Sequence, residues 1–168
     1  MTGCPIMSDA KELRIQYPDS FLLEYVEKCK AGEIVIGKEL MLMLDILVND
    51  MDDPQYRFDT AEAHKRIRFI ERECRHSISP FAGKPFILEL HQKAFIEALY
   101  SFYMEIDGVW FRRFTEALKI IGRKNGKSTE AAAIGNAEFF CGNMGTNILC
   151  ASNDYEQSGI VFDEINNM

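Results

Sequence analysis

The side chains best suited to chemistry stand close together: Arg123, Lys124, Asn125, Gly126, Lys127, Ser128 and Thr129. An apolar run, Ala117-Leu118-Lys119-Ile120-Ile121, leads into Gly122 and this basic stretch, and the Ala-rich segment Glu130–Phe140 follows it. That order predicts strand, loop, helix. At such a junction successive backbone N–H groups and a helix N-terminus face one point, which suits a polyphosphate. Gly126 lets the backbone approach an anion with no Cβ in the way. Lys127 is placed to reach β- and γ-phosphates, and the Ser128 hydroxyl to ligate Mg²⁺.

The pattern resembles the Walker A loop, G-x-x-x-x-G-K-[ST], with one departure. Ile121 stands where the motif has its first glycine, and Gly122 comes one place late. A G-K-S triplet alone is a weak signal; the apolar run before it and the helix-forming run after it supply the context. An ordinary glycine-containing turn between strand and helix is the competing reading. Charge favours the phosphate loop. Residues 112–128 carry six basic side chains against Glu116 alone, a net +5 in a chain of net −7. Positive charge is thus concentrated where a polyphosphate would sit. A basic solvent face accounts for Arg112 and Arg113, and less well for Arg123, Lys124 and Lys127.

The elements that must position this loop follow from the rest of the chain. Its 168 residues, 47% hydrophobic and 27% charged, suffice for a folded domain with a core. Five cysteines (Cys4, Cys29, Cys74, Cys141, Cys150) show neither a C-x-x-C pair nor metal-ligand spacing, which predicts reduced thiols in a cytosol. The N-terminus lacks the basic and apolar regions of a secretory signal, and no apolar run is long enough to span a membrane.

Residues 1–19 carry no strong pattern. Ser20 is a predicted N-cap for a helix through Cys29, closed by Gly32. Lys38–Met51 is a second helix, apolar on nearly every side, hence core or a docking surface. Asp59 and Glu62 form a predicted capping box for a third helix that buries Ala63, Ile67, Ile70 and Cys74. Its other faces mix Lys65, Arg66, Arg68, Arg72 and Arg75 with Glu71 and Glu73, the pattern of a solvated surface. His64, His76 and His91 have no metal-site spacing. A fourth helix starts near Leu90 and buries residues through Tyr103. Asp107-Gly108 then turns the chain into an extended segment, Val109–Ile121, and a second apolar run, Asn147–Ala151, precedes a helix capped by Asn153-Asp154.

Ile160-Val161-Phe162-Asp163-Glu164 imitates a Walker B strand, whose acids hold Mg²⁺ and polarise water. Only eight residues, 152–159, separate it from the preceding run, too few for a parallel crossover of about a dozen. Val161, Ile165 and Met168 also follow helical spacing. Asp163 and Glu164 are therefore predicted on a helix surface.

An ordered set of segments resembles the large terminase subunit of tailed bacteriophages, the ATPase of genome packaging. These are Phe69-Ile70-Glu71, residues 81–86 (F-A-G-K-P-F), Leu90-His91-Gln92 and Arg112-Arg113-Phe114. Residues 122–129 (G-R-K-N-G-K-S-T) and 157–164 (Q-S-G-I-V-F-D-E) complete it. The resemblance runs from about Tyr25 to the end. It implies an α/β fold, with a mainly helical region at 1–89 and, at 90–168, the first β-α-β-α of a P-loop core with an incomplete parallel sheet. The family's variant P-loop tolerates loss of the first glycine. By resemblance, ATP and Mg²⁺ are the cofactors. Gln92 would read adenine, and Arg123, Lys124, Asn125, Gly126, Lys127, Ser128 and Thr129 would surround the phosphates. Arg123 and Lys127 would act catalytically on the γ-phosphoryl group, and Ser128 would hold Mg²⁺.

The same resemblance implies double-stranded DNA, a small terminase subunit, a portal protein and further copies of the motor as partners, in the cytoplasm of a bacterial host. Large terminases continue, past the region of Met168, into a Walker B strand, a coupling motif and a nuclease domain. The 168 residues thus look like the front end of such a protein, with ATP binding weak or absent and hydrolysis negligible by themselves. A helicase-like P-loop ATPase shares the glutamine and the loop. A non-catalytic docking module, working through residues 38–51, is the third reading.

Overall fold

A computed structural model describes residues 10–168; Cys4 and Pro5 lie outside them. The elements in order are α1 (Ala10–Gln16), α2 (Phe21–Lys30), α3 (Lys38–Asp52), β1 (Tyr56–Phe58), α4 (Ala61–Glu73) and α5 (Leu90–Ser101). Then come β2 (Phe102–Ile106), β3 (Val109–Arg112), α6 (Lys127–Cys141) and α7 (Tyr155–Asn167). They divide into two compact units. One holds the described residues up to Ala63 with Leu90–Ala117; the other holds His64–Glu89 with Leu118–Met168.

In the first unit α2 begins where the capping residue dictates. The Ser20 Oγ accepts a hydrogen bond from Leu23 N at 3.2 Å and itself donates to Glu97 of α5. Leu22, Leu23 and Val26 of α2 pack with Leu44, Leu47 and Val48 of α3 and with Phe58, Ala94 and Phe102 in one core. The predicted fourth helix stops at Ser101 rather than Tyr103, because Phe102 enters a strand. β2 pairs antiparallel with β1 (Phe58↔Phe102) and with β3 (Ile106↔Val109). Asp107 and Gly108 make the hairpin turn with φ of 52° and 79°, as a two-residue primed turn requires. The three-residue β1 carries too short an alternation to be visible in the sequence. On one sheet face Arg57 lies 5.0 Å from the Tyr103 ring and 5.2 Å from that of Trp110.

Helix α3 resolves its all-round apolar pattern into two faces. Leu44, Leu47, Val48 and Met51 are buried, and Leu40 and Met41 pack partly against the core. Leu42, Met43 and Ile46 remain exposed.

In the second unit α4 buries Ile67 and Ile70, with Cys74 buried just past its end, as predicted, and α6 buries Ala132, Ala133 and Ala137. Arg66 Nε of α4 meets Glu138 Oε2 of α6 at 2.9 Å, and Phe69 stacks on Phe140 at 5.5 Å between centroids. Helix α7 crosses α6 at Gly135, where an added Cβ would stand only 3.2 Å from Ile165 Cδ1. Asp154 caps α7 by accepting from Glu156 N at 3.1 Å.

The expected parallel sheet is not seen among the described residues. The fold is mixed α/β, but among the described residues the sheet is antiparallel and built from β1, β2 and β3. Neither Ala117–Ile121 nor Asn147–Ala151 joins a ladder. The first of these runs nevertheless alternates like a strand: Leu118 and Ile120 are 86% and 84% exposed, while Lys119 and Ile121 are half-buried. A parallel strand needs neighbours and helix cover on both faces to bury such residues.

Cys29, Cys74, Cys141 and Cys150 are free thiols. Burial pushes the Cys74 thiol up to about 11 from the ordinary 9.0. The folded state then keeps a proton that the unfolded state releases above pH 9. Stability is accordingly full below pH 9 and falls as pH rises toward 11. Alkylation at pH 8, followed residue by residue by mass spectrometry, is expected to modify half-exposed Cys150 well before Cys74.

Candidate functional site

The loop at residues 122–126 belongs to the second unit, between an extended segment and α6. Lys124 and Gly126 have positive φ, 66° and 71°, while Asn125 between them does not. This alternation of sign turns successive N–H groups toward one concave side, the form of an anion nest. The Asn125 Nδ2 donates to the Gly122 carbonyl at 3.3 Å and closes the turn. Gly126 is the N-cap of α6, and no side chain caps that end. The first-turn N–H groups of α6 therefore lack an intrahelical acceptor and carry the positive end of the helix dipole. Arg123, Lys124 and Lys127 are exposed beside it, and Ser128 and Thr129 are half-buried in the first turn.

These features fit an anion of high charge. Donors converge from the backbone, three cations have their stems on or beside the loop, and a hydroxyl follows the lysine. No group of three or more His, Cys, Asp or Glu residues that could hold a metal occurs among the described residues. Any divalent ion here would be held by the Ser128 hydroxyl together with phosphate oxygens, as Mg²⁺ commonly is.

Gln92 stands apart in the chain's division: it lies buried on α5, in the first unit. Arg112 and Arg113 also belong to the first unit and are engaged there. Arg112 stacks over Tyr100 at 4.9 Å, and Arg113 pairs with Asp50 Oδ2 at 2.6 Å and covers the Tyr56 ring. The local positive window read from the sequence thus separates into a structural part and a loop part.

The Walker B imitation is helical, within α7, as its spacing required. Asp163 is exposed. Glu164, expected on the surface, is instead buried and accepts from Ser77 Oγ at 2.6 Å. Its neighbour in sequence gave no sign of this, because the partner lies 87 residues away. A groove of about 580 Å³ lined by Phe69, Phe139, Phe140, Ile148 and Phe162 carries none of the predicted site residues.

Sequence reasoning missed Glu130. It is 1% exposed in α6, and Lys119 Nζ from the segment entering the loop donates to its Oε1. The available signal was the period-two alternation that sends Lys119 toward α6 while Leu118 and Ile120 face away.

A loop of alternating φ sign before an uncapped helix, on a mixed α/β chain, is what this geometry defines. Residues 91–168 match the family model of the terminase large subunit, ATPase domain. No match was found among the curated proteins or among the solved structures.

Proposed function

We propose that this protein binds Mg·ATP at residues 122–129 as part of a terminase motor that packages viral DNA. The observation that carries the reading is the uncapped N-terminus of α6 behind a loop of alternating φ sign, inside the segment that matches the terminase ATPase family. Backbone N–H groups of the loop and of the first turn would bind the phosphate oxygens. Lys127 would bridge the β- and γ-phosphates, Arg123 would offset charge developing on the γ-phosphoryl group, and Lys124, Asn125 and Thr129 would complete the cradle. Ser128 would ligate Mg²⁺, which when bound neutralises phosphate charge. Gln92 would read adenine, a role that rests on the resemblance.

Hydrolysis by these residues alone is negligible in this reading. An attacking water needs a carboxylate or glutamine to orient it, and Glu164 is engaged with Ser77 while Asp163 sits on the exposed side of a helix. A mainly helical region at 1–89 would accompany a P-loop core at 90–168, in whose parallel sheet the unpaired runs at 117–121 and 147–151 would be strands. Double-stranded DNA, the small terminase subunit, the portal protein and other copies of the motor would be the partners, in the bacterial cytoplasm. No helix among the described residues is long and apolar enough to cross a membrane. The exposed Leu42, Met43 and Ile46 favour a second role for α3 in docking one of these partners.

Gly126→Val tests the loop. Nothing lies within 4 Å of an added Cβ, so the substitution acts through the backbone alone: φ of 71° opposes a β-branched residue. Calorimetric titration with Mg·ATP is expected to show weak binding in the parent chain and at least a tenfold loss in the variant, about 1.4 kcal/mol. Equal affinity of the two proteins would place the triphosphate elsewhere.

A further inference from the structure

Two charged residues bracket the loop and belong to no assigned role. Lys119 lies three residues before Gly122, and Glu130 three residues after Lys127. Glu130 is fully buried, its N–H closes the first turn of α6 onto the Gly126 carbonyl at 2.9 Å, and its carboxylate receives Lys119 Nζ. Helical side chains lean toward the N-terminus, so this carboxylate shares the end of α6 that faces the loop. Its negative charge favours the helix dipole but opposes any anion arriving at the same place.

We propose that Lys119 is a positioning residue that serves as the counter-ion of Glu130, so that a buried acid in the first turn of α6 does not repel the triphosphate. The pair also ties the segment entering the loop to the helix leaving it, where the extended segment has no strand ladder to hold it. The inference rests on the nucleotide reading for its ligand, while the tie itself is independent of any ligand.

The two roles predict different signs for single substitutions. A tie that is merely structural is broken equally from either end. A counter-ion is needed only while the acid is charged. Lys119→Met is expected to lower Mg·ATP affinity about tenfold by taking a positive charge away from the Glu130 carboxylate. Glu130→Gln keeps the size and an acceptor oxygen and is expected to bind Mg·ATP at least as well as the parent. The double variant Lys119→Met/Glu130→Gln is expected to return to within about threefold of the parent.

Titration calorimetry with Mg·ATP on the full chain reads these affinities. Hydrogen exchange of the Glu130–Ala133 amides without nucleotide reads the tie. Faster exchange is expected in Lys119→Met and also in the double variant, which lacks the tie as well. Equal loss of affinity in both single variants would overturn the counter-ion role, and so would unchanged affinity in Lys119→Met. If the parent binds no Mg·ATP, the nucleotide reading fails by itself. The exchange pattern then decides the tie: faster exchange in Lys119→Met and in the double variant supports it, and unchanged exchange in Lys119→Met overturns it.

Discussion

Lys127→Ala is expected to lower the affinity for Mg·ATP more than a hundredfold and to leave the folded state as stable as before. The lysine is the first residue of α6 and is exposed, so its removal opens no cavity and leaves no buried partner unsatisfied. In the bound state its ammonium would make charge-assisted hydrogen bonds to two phosphates, worth about 1.5–3 kcal/mol each. A net loss of about 3 kcal/mol corresponds to the expected change in affinity. Lys127→Arg is expected to recover little of it, because a planar guanidinium does not reproduce the compact point charge of an ammonium. Binding isotherms beside urea unfolding curves separate the two effects. An unchanged isotherm for Lys127→Ala would remove the triphosphate from this loop; a lowered unfolding midpoint would show a structural role for the lysine that its exposure does not suggest.

Glu97→Ala is expected to have the largest effect on stability. The carboxylate is completely buried within the first unit, on α5, and serves the N-terminus of α2 from outside it. Its Oε2 accepts from Phe21 N at 2.8 Å and its Oε1 from the Ser20 hydroxyl. Negative charge at a helix N-terminus is favourable, and bonds to an ionised acceptor are the strong ones. Alanine would leave a backbone N–H and a hydroxyl buried without their acceptor and open a void between two helices. The expected cost is about 3–4 kcal/mol, a large part of a small domain's stability. Glu97→Gln, which keeps one acceptor oxygen, is expected to lose about half as much. Urea midpoints at constant slope give both values. A loss in Glu97→Ala below about 1 kcal/mol would mean that water replaces the carboxylate at the end of α2.

Local chemistry was legible in the sequence. Ser20 and Asp154 cap the helices that their types announced, Asp107-Gly108 turns a hairpin, and the buried face of α4 follows its helical spacing. The spacing of Val161, Ile165 and Met168 assigned Asp163 and Glu164 to a helix against the pull of a strand-like motif. The turn into α6 was legible because Gly126 takes its positive φ through its own backbone.

What only the tertiary structure decided depends on residues far apart in the chain. An apolar run such as Ala117–Ile121 encodes an extended shape, yet strand pairing needs a partner whose position no local pattern contains. The sheet seen among the described residues is thus the hairpin with its short third strand, while the runs expected to pair around the loop have no partner there. The same reasoning covers the acids. Glu97, Glu130 and Glu164 all look like solvated helix residues in the sequence, and each is buried by a polar group on another segment. A charge is stable in the interior only when a distant residue supplies its partner, so burial of these acids is a property of the fold and not of their neighbours in the chain.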